Sequence, residues 1–266
     1  MDSDASSATA TGRPWVVAHR GSSYDFPEHT LSAYEQAVDD GADALECDVR
    51  LTRDGHLVCV HDRTVDRTSD GRGTVSSMTL AELSALDFGS WKGPGHSAGV
   101  LRFEQLLELV VSASRPVGLH VETKHPVRQG GGLERSLVSL LRRYGLHAAG
   151  EGTARRHRVE VMSFSRLALH RLRALAPTLP RAYLVEHPLL GTTAPRGTAV
   201  VGPGIDLVRA RTGLVARLHA AGHRVNVWTV DEPADVELCL RLGVDTIITN
   251  RPRQVLRMLS ETTLGA

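Results

Sequence analysis

Short apolar runs alternate with amphipathic segments along most of the chain, a pattern typical of repeated strand–helix units. A segment with apolar residues at helical spacing follows the first run, with Leu31, Tyr34 and Val38 on one face. The pattern predicts eight parallel strands, which begin near residues 15, 45, 117, 159, 182, 199, 225 and 246. Helices are predicted over residues 27–40, 79–86, 103–112, 133–144, 167–176, 213–221, 234–242 and 254–260.

Eight successive strand–helix units indicate an α/β protein with a TIM (β/α)8 barrel. A doubly wound open sheet is the alternative, and such a sheet normally carries a glycine-rich phosphate loop after its first strand. Here the first strand runs into His19-Arg20-Gly21, which is not a loop of that kind. We therefore expect a barrel, in which catalytic groups gather at the C-terminal ends of the strands.

Two carboxylates interrupt the second predicted strand, which runs from Leu45 to Leu51. Because side chains alternate along a strand, Glu46 and Asp48 point to the same face. Like charges that share a buried face repel each other, so a cation or a shared proton must offset them. A bound metal ion is the simpler of the two solutions.

The dipeptide Asp54-Gly55 predicts a two-residue hairpin turn between this strand and the next apolar run. The turn would fold Leu57 to Val60 back antiparallel on the second strand. Counted outward from the turn, Asp48 faces His61. The hairpin is thus expected to bring an imidazole beside the two carboxylates.

Polar residues also end the first and third parallel strands. The first strand ends in His19 and Arg20, and the third ends in Glu122 and Lys124. A Pro-Glu-His-Thr sequence that contains Glu28 opens the first predicted helix. All these side chains are expected at one end of the barrel.

Residues 63–99 form a loop-rich insertion after the hairpin. The insertion contains many turn-forming residues and one short helix, which begins with a capping box at Thr79 and Glu82. Long loops in compact domains usually cover functional sites. We expect the insertion to have such a covering role.

The residue types collected at the strand ends fit one kind of chemistry. Carboxylates without cysteine suit a hard divalent cation, either Mg²⁺ or Ca²⁺, with Mn²⁺ as a further choice. Arginine and lysine beside a metal suit a phosphate group, and two histidines can exchange protons near neutral pH. Together they predict phosphoester hydrolysis. The residues are His19, Arg20, Glu28, Glu46, Asp48, His61, Glu122 and Lys124.

A set of short motifs runs in order along the chain from residue 16 to about residue 252. They are His19-Arg20-Gly21, Pro27-Glu28-His29-Thr30, Gly41-Ala42-Asp43, Glu46-Cys47-Asp48-Val49, Thr52-Arg53-Asp54-Gly55, His61-Asp62, Arg67-Thr68, Glu122-Thr123-Lys124, Ser163-Phe164, Trp228-Thr229-Val230 and Ile247-Ile248-Thr249-Asn250-Arg251-Pro252. In this order they resemble the glycerophosphodiester phosphodiesterase family. Barrels of that family hydrolyse deacylated phospholipids to glycerol 3-phosphate and an alcohol.

The resemblance implies three groups of functional residues. The metal ligands would be Glu46, Asp48 and Glu122, with Glu28 as a further candidate, and they would hold one divalent cation. The acid–base pair would be His19 and His61. The substrate contacts would be Arg20 and Lys124 on the phosphate, and Trp228 and Phe164 against the glycerol carbons.

Two positions depart from the family pattern. His29 stands where the family has Asn, and an imidazole can replace either a hydrogen bond or a metal contact of that Asn. Asn250 stands where Asp is usual near the end of the last strand. This change is expected to affect hydrogen bonds that support the site residues and not the site residues themselves.

Composition and charge exclude several classes of protein. The chain has 266 residues, 41% of them hydrophobic, and a formal net charge of +1, so no basic field favours nucleic acid. No apolar run approaches the roughly 20 residues that span a bilayer, so we expect no integral membrane contact. The partner expected instead is a small-molecule glycerophosphodiester. The sequence leaves the oligomeric state open.

The chain is predicted to divide into a disordered tail over residues 1–13, one barrel domain over 14–260 and a C-terminal tail over 261–266. The first 13 residues lack the basic and apolar regions of a signal peptide, so a cytoplasmic location is expected. The three cysteines lack metal-ligand spacing and are expected to be reduced core residues.

Three other functions remain open at this point, and one of them, an intermolecular binding module that uses residues 63–99, could coexist with catalysis. A lysophospholipase D activity on long-chain substrates would need an apolar groove or a membrane-binding helix, and the sequence shows neither. A non-catalytic phosphodiester-binding protein on the same fold is the third possibility, although both candidate histidines are present.

Overall fold

The computed structural model describes residues 12–127, 130–148, 153, 156–186 and 193–264. One sheet of nine strands lies within these ranges. The strands are β1 (Trp15–His19), β2 (Ala44–Leu51), β3 (Leu57–Cys59), β4 (Gly118–Thr123), β5 (Val159–Ser163), β6 (Arg181–Val185), β7 (Val200–Pro203), β8 (Arg224–Val227) and β9 (Thr246–Thr249). All except β3 pair in parallel, and β1 pairs with both β2 and β9 to close the barrel. The predicted TIM (β/α)8 barrel is confirmed.

Helices follow the strands around the barrel. Within the described ranges they are α1 (Leu31–Asp39), α2 (Leu80–Ser84), α3 (Phe103–Ser112), α4 (Gly132–Arg143), α5 (Arg166–Leu175), α6 (Ile205–Ala210), α7 (Leu214–Ala220), α8 (Pro233–Leu242) and α9 (Pro252–Leu264). None of these helices has the length and apolar character that crossing a membrane requires.

Two helices differ from the sequence prediction by four residues at one end. Helix α1 begins at Leu31 rather than at residue 27, because the side chain of Thr30 caps it by accepting a hydrogen bond from the amide of Ala33. Helix α9 continues to Leu264, so residues 261–264 of the predicted C-terminal tail are helical. Of the predicted N-terminal tail, residues 1–11 lie outside the described residues.

The hairpin turn is one residue longer than predicted. Val49 pairs with Cys59 and Leu51 pairs with Leu57. The next pair is Thr52 with His56, because the amide of Thr52 donates to the carbonyl of His56. The loop therefore has three residues and ends at Gly55, whose φ of +89° is the left-handed conformation that such loops need. The predicted pairing of Asp48 with His61 is wrong by one position.

The insertion over residues 63–99 has a small hydrophobic cluster of its own. It includes short 3-10 helices at Val75–Ser77 and Ser90–Lys92, together with α2. The predicted capping box of α2 is present, with Thr79 and Glu82 bonded reciprocally. The members of the cluster are Val58, Val60, Val65, Val75, Leu83, Phe88 and Val100, so the insertion packs against the β3 side of the barrel.

The inside of the barrel is filled in layers. An apolar cluster occupies much of the interior and consists of Val17, Ala44, Met162, Ala182, Leu184, Val200 and Ile248. A polar group lies beside it, in which Glu160 accepts hydrogen bonds from Asn226 and Arg224. The larger apolar core lies between the strands and the surrounding helices. The barrel is thus a packed scaffold whose strand ends hold the polar residues described next.

Candidate active site

A pocket of about 260 Å³ opens at the C-terminal ends of the strands. One side of the pocket is polar and the other is apolar. The polar residues include His19, Arg20, Glu46, His61, Glu122 and Lys124, and the apolar ones include Met162, Phe164, Leu184, Trp228 and Ile248. The predicted catalytic, phosphate-binding and aromatic residues therefore meet in one place.

Three buried carboxylates lie together at one side of this pocket. Glu46, Asp48 and Glu122 each offer an oxygen, and these oxygens lie within 4.8 Å of one another. The register of the sheet creates this cluster, because Asp48 on β2 lies directly beside Glu122 on β4. Glu46 is only 2% exposed and Asp48 only 1% exposed, so water screens their charges very little.

Burial and mutual repulsion separate the pKa values of the three carboxyls. Burial, followed by the charge of Asp48, raises the pKa of Glu46 well above its usual range and raises that of Glu122 to about 8. Burial acts in the same direction on Asp48, but Lys124 and Arg20 outweigh it and hold its pKa well below the usual range. Asp48 is therefore the carboxylate that the two cations stabilise.

Two cations contact the carboxylate cluster directly. The Nε atom of Arg20 lies 3.1 Å from Asp48, and the Nζ atom of Lys124 lies 2.8 Å from Glu122 and 3.3 Å from Asp48. Burial lowers the pKa of Lys124, but the charges of Asp48 and Glu122 outweigh burial and raise it. Both side chains stay protonated and line the pocket, where they can bind an anion.

The carboxylate cluster fits a divalent cation. Three acidic groups face two basic ones, so a negative charge remains in a buried place when all three carboxyls are ionised. Carboxylate oxygens are the ligands that Mg²⁺, Ca²⁺ and Mn²⁺ prefer. Glu46, Asp48 and Glu122 could therefore hold such an ion.

Glu28, the further metal candidate, lies outside this cluster. Its carboxylate accepts a hydrogen bond from Arg20 at 2.9 Å and two from Arg67, at 2.7 and 2.8 Å. Burial alone would raise the pKa of Glu28, but the hydrogen bonds from Arg67 and the charge of Arg20 lower it to about 2. Glu28 thus orients Arg20 from the side opposite to Asp48.

His29 is a buried residue that contacts the carboxylate cluster through Asp48. Its Nε2 atom lies 2.9 Å from Asp48, and its Nδ1 atom lies 2.7 Å from the hydroxyl of Tyr34. The hydroxyl of Tyr34 donates to the carbonyl of Glu46. His29 is therefore linked to β2 twice, directly through Asp48 and indirectly through Tyr34. His29 has a φ of +60°, a conformation that Asn adopts more easily than His. The imidazole therefore takes a hydrogen-bonding role beside the carboxylate cluster.

His19 has one ring nitrogen fixed and one facing the cluster. Nδ1 lies 2.7 Å from Oδ1 of Asn250, and Nε2 lies 4.0 Å from Glu46. The amide of Asn250 is oriented by Asp231, whose carboxylate accepts from Nδ2 at 2.6 Å and from the backbone N–H at 2.8 Å. Because Oδ1 can only accept, His19 carries its hydrogen on Nδ1. Burial, followed by the charge of Arg20, lowers the pKa of His19 to about 3, so the ring is neutral.

His61 lies across the pocket and has a carboxylate partner instead. Its Nδ1 atom lies 2.7 Å from Asp62, whose other oxygen accepts from Nε of Arg67 at 2.6 Å. Burial outweighs the charge of Asp48 and the hydrogen bond to Asp62, so the pKa of His61 is lowered from its usual value. His61 lines the same pocket as Glu46 and Glu122, although the strand register that suggested this position is not the one observed.

The apolar side of the pocket centres on two aromatic rings. Phe164, just after β5, and Trp228, just after β8, meet edge to face with ring centroids 5.5 Å apart. The indole N–H of Trp228 donates to the carbonyl of Gly202, which fixes the ring at the pocket wall. Such a surface suits carbon atoms of a small substrate.

The sequence did not indicate the residues that support the site, namely Tyr34, Asp62, Arg67 and Asp231. Asp62 and Arg67 do belong to motifs that match the family, but the sequence does not show what they contact. The structure shows that Asp62 bonds to both His61 and Arg67. Asp231 and Tyr34 are ordinary residues of a loop and a helix in the sequence. Nothing in their spacing indicates that they bond to His29 and Asn250.

Carboxylates, cations and two imidazoles at the mouth of a (β/α)8 barrel are typical of the barrel phosphodiesterases. The model of the Glycerophosphoryl diester phosphodiesterase family matches residues 19–254. The chain belongs to this family.

Relatives along nearly the whole length agree with this membership. A Mycobacterium tuberculosis protein described as "Probable glycerophosphodiester phosphodiesterase 1" is 47% identical over 250 residues, covering 91% of this chain and 90% of its own. A glycerophosphodiester phosphodiesterase of Bacillus subtilis is 31% identical over 248 residues, covering 89% of this chain and 83% of its own.

Solved structures show the same fold. A phosphodiesterase of Oleispira antarctica, in complex with the product sn-glycerol-3-phosphate, superposes with a TM-score of 0.82 at 26% identity and covers 94% of this chain and 98% of its own. A glycerophosphodiester phosphodiesterase of Agrobacterium tumefaciens gives a TM-score of 0.74 at 27% identity, with 91% and 98% covered. The family resemblance predicted from the motifs is confirmed.

Proposed function

We propose that this chain hydrolyses a glycerophosphodiester to glycerol 3-phosphate and an alcohol. One divalent cation assists the reaction, and His19 and His61 exchange the protons. The observation that carries the proposal is the buried cluster of Glu46, Asp48 and Glu122 in the same pocket as two histidines with different partners. The product named for the Oleispira antarctica relative supports the choice of substrate.

The phosphate group is held by positive charge from three sources. Arg20 and Lys124 line the pocket beside the carboxylate cluster and supply two of them. A divalent cation on Glu46, Asp48 and Glu122 would supply the third and would stabilise negative charge that develops on the phosphate oxygens. Since these groups are buried, their charges act strongly on the transition state.

The partners of the two histidines suggest which one is the base. His19 donates from Nδ1 to a neutral amide, so Nε2 is left as a lone-pair acceptor that can remove a proton from the attacking oxygen. His61 bonds to the carboxylate of Asp62, which stabilises a protonated ring. We assign His19 as the general base and His61 as the general acid that protonates the departing alcohol.

The glycerol arm of the substrate lies against the aromatic wall in this proposal. Phe164 and Trp228 present carbon surface next to the cations, so a short polyol chain attached to the phosphate would pack there. The other arm would leave toward the open side of the pocket, on which His61 is partly exposed.

The proposal is tested by measuring glycerol 3-phosphate release from glycerophosphocholine, glycerophosphoethanolamine and lysophosphatidylcholine. We expect release of glycerol 3-phosphate from the two deacylated diesters and much slower hydrolysis of the long-chain substrate. Hydrolysis of lysophosphatidylcholine alone would favour the lysophospholipase D alternative. No hydrolysis of any of the three would contradict the proposed function.

A further inference from the structure

Arg67, an arginine of the insertion, connects the carboxylate that holds His61 to the carboxylate that holds Arg20. Arg67 lies between Asp62, which holds His61, and Glu28, which holds Arg20. We propose that Arg67 is a positioning residue for the hydrolysis, and that it fixes the general acid and the phosphate-binding arginine relative to each other. This inference rests on the proposed function.

On the side of the general acid, Arg67 holds the carboxylate that holds the imidazole. Its Nε atom donates to Oδ2 of Asp62 at 2.6 Å, and Oδ1 of the same carboxylate lies 2.7 Å from Nδ1 of His61. Each oxygen of Asp62 therefore has its own partner, so the carboxylate cannot rotate without losing one of them. The ring of His61 is thereby kept with Nε2 available to the substrate.

On the side of the phosphate, Arg67 holds Glu28 through both of its terminal nitrogens. Nη1 donates to one oxygen of Glu28 at 2.7 Å and Nη2 donates to the other at 2.8 Å. The oxygen that accepts from Nη2 also accepts from Nη1 of Arg20 at 2.9 Å. Arg20 is thus held between Glu28 and Asp48, with its backbone in an unusual conformation of φ +58°.

The contacts form one chain of alternating charge across the pocket. In order, it consists of His61, Asp62, Arg67, Glu28, Arg20, Asp48, Lys124 and Glu122. Each link in this chain is 3.3 Å or shorter. Arg67 lies between the carboxylates of Asp62 and Glu28. Its removal therefore leaves these two negative groups without the cation that separates them.

The insertion holds Arg67 in this place. Its neighbours Val65 and Thr68 are buried, and Val65 belongs to the small hydrophobic cluster of the insertion. The turn is closed by hydrogen bonds to the carbonyl of Val65 from the amide of Thr68, at 3.2 Å, and from the hydroxyl of Ser69, at 2.9 Å. The insertion therefore presents the Arg67 side chain to Asp62 and Glu28 from a hydrogen-bonded turn.

Only an arginine can make these contacts together. The guanidinium is a planar fork, so it can serve Asp62 through Nε while it serves Glu28 through both terminal nitrogens. A lysine is a point charge with a single nitrogen and would satisfy one carboxylate at a time. The Arg67 side chain is 46% exposed, so small molecules can reach the position when the side chain is removed.

The test compares Arg67→Ala with Arg53→Ala in the metal-loaded enzyme acting on glycerophosphocholine. Arg53 is the matched control, because it is 56% exposed and pairs with Glu82 of the insertion without contacting the pocket. We expect Arg67→Ala to lower kcat about 10- to 100-fold, with a smaller change in KM and unchanged metal affinity by calorimetry. Arg53→Ala should leave both kinetic constants unchanged. Both variants are expected to fold, because Arg67 and Arg53 are about half-exposed and Glu28 keeps its hydrogen bond from Arg20 when Arg67 is removed.

Rescue experiments separate positioning from a general structural effect. Methylguanidinium added to Arg67→Ala should restore part of the lost kcat, and Arg67→Lys should remain about 10-fold or more below the wild type. The inference is overturned when Arg67→Ala matches the wild type, when Arg67→Lys restores full activity, or when methylguanidinium restores nothing. If the wild type itself releases no glycerol 3-phosphate, the proposed function has failed and not this inference alone.

Discussion

The Nδ1 atom of His19 lies 2.7 Å from the Oδ1 atom of Asn250, and this hydrogen bond decides which nitrogen of His19 is free to accept a proton. Asp231 fixes the amide by accepting from its Nδ2 atom, so the amide oxygen is the atom that faces the imidazole. A neutral amide does not stabilise a protonated ring as a carboxylate does. The pair therefore suits a base that begins the reaction unprotonated.

Asn250→Ala is expected to lower kcat about 10- to 100-fold, since the ring of His19 then loses the acceptor that fixes its tautomer. Ser23→Ala is the milder comparison, because its hydroxyl lies 2.8 Å from the same amide oxygen and 2.7 Å from the backbone carbonyl of His19, without contacting the ring. Steady-state kinetics on glycerophosphocholine measure both variants. An equal loss in the two would show that the amide acts through Ser23 and not through His19.

Glu122→Gln is expected to weaken divalent-metal binding by about 10-fold or more, because the change removes a charged oxygen from the carboxylate cluster. Glu160→Gln is the matched control, a buried carboxyl of the same barrel interior that bonds to Asn226 and Arg224. Titration calorimetry with Mg²⁺, Ca²⁺ and Mn²⁺ measures the affinities. The assignment of Glu122 as a ligand fails if both variants bind metal like the wild type.

His61→Ala is expected to affect substrates according to their leaving group. Loss of the general acid should lower kcat on glycerophosphocholine about 10²- to 10⁴-fold, because an alkoxide leaves poorly without a proton. A p-nitrophenyl ester of glycerol 3-phosphate needs no such proton and should lose far less. His219→Ala, which removes an exposed histidine paired with Asp245, serves as the control. Equal losses on both substrates would remove His61 from the role of acid.

Gly21→Ala is expected to destabilise the fold far more than Gly55→Ala. Both glycines have a positive φ, +86° and +89°, so both substitutions strain the backbone by about 1–2 kcal/mol. A Cβ at Gly21 would also lie 2.6 Å from the carbonyl carbon of Ala33, whereas a Cβ at Gly55 meets nothing within 4 Å. Urea denaturation should give a free-energy loss at Gly21 that is larger by about 1–3 kcal/mol. Equal losses would contradict the close packing of the loop after β1 on α1.

The barrel was predictable from the sequence because its signal is local. Each buried strand is a short apolar run, and each is followed by a helix with one apolar face, so the eight parallel strands could be counted. Helix α6 was missed because its six residues are too few to show a helical period, and it follows directly after Pro203 and Gly204. The hairpin register was wrong because an Asp-Gly pair also fits a three-residue loop in which Gly55 takes the left-handed conformation.

The residues that touch the pocket were predictable, and the residues that hold them were not. Glu46, Asp48 and Glu122 stood out because charges at apolar strand positions need an explanation. Asp231 and Arg67 reach the site from loops, and the path of a loop depends on packing that no local pattern encodes. The polar group of Glu160, Asn226 and Arg224 was missed for a related reason, because its partners come from strands far apart in the sequence.

We propose that the buried cluster of Glu46, Asp48 and Glu122 binds a divalent cation on which hydrolysis depends. The most direct measurement is glycerol 3-phosphate release from glycerophosphocholine after chelation, with Mg²⁺, Ca²⁺ and Mn²⁺ added back separately. We expect release to stop with the chelator and to return with at least one of the ions. Release that continues at the full rate after complete removal of divalent metal would contradict the account.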